Sequence, residues 1–249
     1  MLDQNNPQKK DSSVVPTNLQ PIPPKTKKNF WYWLRFASKI VLCAHLIFIG
    51  LIGIVSIIYI NTNPPSTILM MYRDGFKAKK PSFVPLRNIS PTFQLDLINL
   101  EDGQFREHYG FDLDAIKVAR ERNKKLGYKA YGASTISQQL ARTLFLTPHK
   151  SYFRKYLELI ITFELEFILG KDRILELYIN YAELGKGVYG FNDASQHYYK
   201  KSFANTSTDQ KIRMMTILAS PINYSPQTLH QNKTLAARYK FIYRYHKYH

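Results

Sequence analysis

A mainly α-helical domain preceded by a single membrane-spanning helix is the architecture the sequence predicts, and three observations predict it. The segment from Ile40 to Ile60 is 21 residues without a formal charge, which at 1.5 Å rise per residue spans roughly 32 Å, enough for a bilayer core. From Ser90 onward apolar residues recur at helical spacing between capping residues, and few runs alternate as a strand would. The 249 residues, 45% hydrophobic and 14% aromatic, suffice for one sizeable core.

Residues 1–29 are rich in Pro, Asn, Gln, Ser and Lys without apolar periodicity, and residues 1–39 are expected to form a disordered, basic, cytoplasmic tail. Lys9, Lys10, Lys25, Lys27, Lys28, Arg35 and Lys39 precede the apolar segment, which favours a cytoplasmic N-terminus, although Arg73, Lys77, Lys79, Lys80 and Arg87 follow it. Trp31, Tyr32 and Trp33 suit the inner interfacial belt. The segment at 40–60 lies far from the N-terminus for a signal peptide, and Asn61-Thr62-Asn63-Pro64-Pro65 offers no small-residue cleavage site, so it reads as a retained anchor. Residues 61–89, with four prolines and interspersed cations, read as a juxtamembrane connector, in which Leu69, Met70, Met71, Tyr72 and Phe76 either dip into the leaflet or pack on the domain.

The domain is expected over 90–249. Ser90-Pro91 supplies an N-cap and a first-turn proline, and Phe93, Leu97 and Leu100 mark one face up to Glu101. Thr135 with Gln138 forms a capping-box pattern, and Thr147-Pro148 stops that helix. Ser151 opens the next helix, with Gly170 as its C-terminal cap. Asp172 is expected to cap a helix that Gly185 ends, Asn192 a short helix through Tyr199, and Thr208 begins another. The last segment is a basic, tyrosine-rich helix or tail.

Two carboxylates sit where folding alone would not put them. Glu101 ends an apolar helical stretch, against the negative end of the macrodipole, and Glu158 lies among Leu157, Leu159, Ile160 and Ile161. Such costs are tolerated most readily at working sites. The net charge of +17 points to an anionic partner. Nucleic acid is the weakest choice, because the cations lie on both sides of the apolar segment with no recognised binding module. The single cysteine, Cys43, excludes an intramolecular disulfide, and no dedicated metal-ligand spacing occurs.

EDGQFREHYGFD at 101–112, GASTISQQLARTLFL at 132–146, RKYLELIITFELE at 154–166 and KDRILELYINYAELGKGVYGFNDASQHYYKK at 171–201 resemble, in order, the motifs of the peptidoglycan glycosyltransferase family, with LASPINYSP at 218–226 as a looser fifth. The resemblance covers residues 85–226 and is closest to the monofunctional enzymes, since no Ser-x-x-Lys tetrad of a transpeptidase occurs. It implies a lysozyme-like fold and polymerisation of lipid II at the bacterial inner membrane, with the catalytic domain periplasmic and cell-wall synthesis or division proteins as partners.

By that resemblance Glu101 is the general base at the acceptor's 4-hydroxyl, with inversion at the donor's anomeric carbon. Glu158 acts near the pyrophosphate leaving group, or forms a plain intrahelical pair with Arg154. Asp102, Phe105 and His108 are expected to line the substrate site, with packing, capping and internal hydrogen bonding as their alternatives. Arg142, Arg154 and Lys155 supply positive charge, Gly132, Ser134 and Thr135 supply backbone donors at a helix N-terminus, and Gln138 and Gln139 meet sugar or pyrophosphate. No organic cofactor or protein-made metal site is implied, though magnesium could accompany the substrate pyrophosphate. Gly132-Ala133 stands where the family favours Gly-Gly, and Arg142-Thr143 where it favours Lys-Asn. A lysozyme-like muramidase and a non-catalytic, membrane-anchored cell-wall scaffold remain the alternative readings.

Overall fold

A computed structural model describes residues 28–127 and 132–248. The chain divides into two compact units, the first ending at His45 and the second running from Leu46 to His249. Both share one long helix, α1, Lys28–Asn61. Its stretch Phe30–Asn61 is long and apolar enough to cross a membrane. The expectation of a disordered tail to residue 39 is therefore corrected: helix begins at Lys28, because residues 30 to 36 are aromatic and aliphatic apart from Arg35, itself a good helix former, and contain no Pro or Gly. The rest of that expected tail lies outside the described residues.

The connector is also corrected, since it is part of the domain. Thr67 caps α2, Ile68–Asp74, accepting from the Met70 amide, and Leu69 and Met70 are buried in the core. Packing is thus the outcome for these two, while Tyr72 and Phe76 are exposed. Farther on, Val84 is held like a strand partner by one side chain: its N–H donates to Asn180 Oδ1 at 2.7 Å and its C=O accepts from Asn180 Nδ2 at 2.9 Å.

Helix α3, Pro91–Glu101, starts at the expected Ser90 cap. Helix α4, Leu113–Leu126, was not anticipated, although Asp112 caps it and Gly127 closes it in the left-handed conformation. Then follow α5, Ile136–Phe145, with the predicted Thr135–Gln138 capping box, and α6, Tyr152–Tyr181, begun by Ser151 and interrupted by non-helical backbone at Gly170. Asp172 does not cap the part beyond the break; its carboxylate pairs with Arg106 at the surface.

Gly185 does not end that helix either. The helix stops at Tyr181, and an antiparallel pair follows, β1 Glu183–Gly185 with β2 Val188–Tyr189. Tyr198 donates to the Leu184 carbonyl at 2.8 Å and closes the space beside Gly185. The next helix, α7, Phe191–Tyr199, begins at Gly190, and the expected cap Asn192 instead accepts from the Phe203 amide. Helices α8, Thr208–Ile217, and α9, Lys233–Tyr248, complete the chain.

The α5–α6 pair is the spine of the core, with α2 packed on α5 and with α3, α8 and α9 packed on one another. Arg173 on α6 ties the end of α1 to the domain, donating to the carbonyls of Tyr59 at 2.8 Å and Thr62 at 2.5 Å, where a cation also meets the favourable end of the macrodipole.

One buried carboxylate faces α1 without such a tie. Both Glu164 oxygens are buried without a hydrogen-bond partner among the described residues, and Gly53 leaves room beside them. Burial raises this carboxyl from 4.5 to about 7. An acid whose folded pKa is raised favours the folded state below its unfolded pKa and loses that benefit as pH climbs to the folded value. Glu164→Gln is therefore expected to raise the thermal midpoint of the detergent-solubilised protein at pH 8, and to flatten its dependence on pH between 4.5 and about 7. Melting curves over that range check it.

Candidate active site

The cleft is organised where the end of α3 meets the start of α5. After Glu101 the chain turns at Asp102, whose carboxylate accepts from the Ile136 amide at 2.9 Å and from His108 Nε2 at 2.9 Å. His108 Nδ1 accepts from the Gly110 amide at 3.0 Å, which places the ring proton on Nε2. Thr135 then donates to the Gly110 carbonyl at 2.7 Å. Gly110 has φ +91, and a Cβ there would lie 2.7 Å from the Thr162 methyl, so only glycine lets this turn seat against α6.

These contacts give several of the residues expected at the substrate site a structural role. Asp102 is a cap for α5, 34 positions along the chain, rather than for the segment that follows it. His108 orients Asp102. Phe105 is fully buried, with Lys171 Nζ 4.6 Å from its ring centre. Thr135 and Gln138 satisfy each other through the capping box. Of the three expected backbone donors, the Thr135 amide is taken by Gln138 Oε1 at 3.2 Å, as the amides of Ile136 and Gln138 are by Asp102 and Thr135, while Gly132 and Ser134 line the cavity beside Glu101.

Glu101 is held differently. Its side chain is only 8% exposed yet lines a cavity of about 340 Å³ with Asp102, Arg122, Gly132 and Ser134. Oε2 accepts from Gln139 Nε2 at 2.8 Å, and Oε1 accepts from Arg238 Nη2 on α9. Tyr178 donates to Gln139 Oε1 at 2.9 Å, fixing the amide so that its NH₂ faces Glu101. Burial, then the Glu101 charge, push the Tyr178 phenol well above its usual range and keep it a donor.

Gln139 and Tyr178 also line a second cavity, of about 390 Å³, with Arg73, Arg142, Lys150 and Glu183. Arg73 is paired to Glu183 at 3.0 Å, whereas the Arg142 guanidinium makes no hydrogen bond or salt bridge among the described residues. Burial raises the Glu183 carboxyl, and Arg73 opposes the rise. A third cavity, of about 710 Å³, is apolar: Phe111, Leu113, Ile116, Leu159 and Phe163 form its walls, with Ser134, which it shares with the first, at one side.

Glu158 is completely buried and paired with Arg154 at 2.5 Å and with Lys155. The intrahelical pair is thus present, and it is doubled. Lys155 lines the apolar cavity together with Gln138. Among the described residues no group of three His, Cys, Asp or Glu could hold a metal ion. Sequence reasoning missed Arg73 and Lys150, single cations outside any pattern, and Arg238, hidden in the basic final segment.

The family model described as Transglycosylase matches residues 67–246, beginning at α2. A relative from Janthinobacterium sp. (strain Marseille) named biosynthetic peptidoglycan transglycosylase is 38% identical over 208 residues, covering 80% of this chain and 88% of its own. Relatives of the same name from Nitrosospira multiformis, 39% identical over 78% of this chain and 86% of theirs, and Caulobacter vibrioides, 38% identical over 84% and 90%, match equally broadly. The chain belongs to the transglycosylase family and is a peptidoglycan glycosyltransferase of cell-wall synthesis.

Proposed function

We propose that this enzyme polymerises lipid II, with Glu101 as the general base. The observation that supports this most is the position of Glu101: a buried, doubly oriented carboxylate at the wall of one cavity, joined through Gln139 to a second cavity that carries three cations. The acceptor sugar's 4-hydroxyl gives its proton to Glu101 as its oxygen bonds to the donor's anomeric carbon from the face opposite the leaving group, inverting that centre. The bond to the lipid pyrophosphate breaks as the new bond forms, and the pyrophosphate leaves as an anion facing Arg142, Lys150 and Arg73. Magnesium, where it takes part, would be held chiefly by substrate phosphates.

The apolar third cavity suits part of a polyprenyl chain, with Lys155 and Arg120 near the phosphate end. Helix α1 serves in this reading as a retained anchor with a cytoplasmic N-terminus, keeping the domain on the periplasmic face of the inner membrane beside its lipid-borne substrate. A muramidase acting on neutral glycan would have no use for the three-cation cavity, and a scaffold none for the oriented Glu101.

Incubation of the full-length protein with labelled lipid II in detergent, with products resolved by length, tests the reading. Lengthening glycan chains support it; shortening of existing glycan supports a muramidase, and neither outcome supports a scaffold. Arg142→Gln is expected to lower kcat/KM for lipid II by roughly 10²-fold, as loss of one preorganised donor to a developing anion does, with partial recovery in Arg142→Lys. Steady-state kinetics of the two variants check this.

A further inference from the structure

All the motif residues that surround Glu101 lie before residue 227, yet one of its oxygens is held from outside them. Helix α9 buries Leu235 and Ile242, seven residues apart, and this seats its intervening and following residues along α3. Three polar ties result: Arg238 Nη2 donates to Glu101, Tyr245 OH accepts from Asn99 Nδ2 at 2.9 Å, and His246 Nδ1 meets Asp96 at 2.7 Å. Arg238 is mostly buried, and its Nε makes no hydrogen bond among the described residues, so its fork grips Glu101 by one end only.

A glutamate held at one oxygen can still turn about its last torsion, which is broad. A second donor on the other oxygen fixes the carboxylate plane and leaves a lone pair on each oxygen unused. We propose that Arg238 is a positioning residue for glycosyl transfer, locking the Glu101 carboxylate against Gln139 so that its remaining lone pairs face the cleft, and that α9 is thereby a working part of the active site. The inference rests on Glu101 being the general base.

The test is steady-state polymerisation of labelled lipid II by wild type, Arg238→Met, Arg238→Lys and Lys240→Gln, each with its thermal midpoint. Lys240 is an exposed cation on the same helix and controls for charge. Arg238→Met is expected to lower kcat at least about tenfold with KM within about twofold, since misplacing a reacting group acts on the transition state rather than on binding. Arg238→Lys should lose about three- to fivefold, because it keeps a single donor without the fixed direction that the planar guanidinium gives it, and Lys240→Gln should match wild type. A folded Arg238→Met enzyme with kcat within about twofold of wild type overturns the inference. So does an Arg238→Met protein that fails to fold beside an Arg238→Lys enzyme with full kcat, which assigns the residue to stability alone. Wild type that makes no polymer overturns the general-base reading and this inference together.

Discussion

Glu101→Gln is expected to lose glycan polymerisation by roughly 10²- to 10⁴-fold, the usual contribution of a positioned general base. An amide has nearly the same shape as the carboxylate but cannot take a proton from the acceptor hydroxyl, so the loss belongs to the chemical step. The substitution also sets an NH₂ against one of two donors, Gln139 Nε2 and Arg238 Nη2, which are now satisfied by a carboxylate with one oxygen each. One of those contacts is lost, and a fall in thermal midpoint of a few degrees accompanies the change, since about 1 kcal/mol in a domain of this size moves it roughly 2–4 °C. Rates of chain elongation, measured beside melting curves, separate the two effects. Polymerisation at a rate near that of wild type would remove Glu101 from the chemistry.

The second large effect is on stability. Glu158 is wholly buried and neutralises both Arg154 and Lys155. Its replacement by Gln leaves two cations on one turn of α6 without their counter-charge, and removing one partner of a buried pair costs about 3–5 kcal/mol. Lys155 is partly exposed and can be rehydrated, which places the expected cost near the lower end, about 3 kcal/mol, or roughly 6–12 °C in thermal midpoint. Activity should fall with it, because Lys155 lines the apolar cavity beside Gln138. Melting curves of Glu158→Gln check the prediction. An unchanged midpoint with lost activity would mean that Glu158 meets the substrate rather than supporting the cations that do.

What the sequence disclosed depended on how far apart the interacting residues are. Caps act over three residues, and Ser90, Thr135 with Gln138, and Ser151 all start helices where they stand. Gly170 breaks α6 for the same local reason. Helix α1 starts ahead of the charge-free segment because Arg35, inside the aromatic run, and Lys39, just after it, bar a membrane core but are good helix formers. Helix α4 carried its caps in plain view, but its many charged residues mask the apolar stripe. The β1–β2 pair is too short for any alternation to register.

Long-range partnerships were out of reach. Asp102 looks like a free site carboxylate until Ile136, 34 residues on, and His108 are seen to occupy it. Glu101 itself stood out through its misfit at a helix end, whereas Arg238, 137 residues away, gave no local sign of belonging beside it. Local misfit thus singled out the proposed base, and only tertiary structure revealed what holds it.

The central claim, that Glu101 acts in chemistry and not in binding, is tested most directly by comparing Glu101→Gln with wild type in two readouts: the Kd for labelled lipid II in detergent, and the single-turnover rate of polymer formation at saturating substrate. The account predicts a Kd within about threefold and a rate at least about 10²-fold lower. A rate loss matched by an equal loss of affinity, or no rate loss at all, would contradict it.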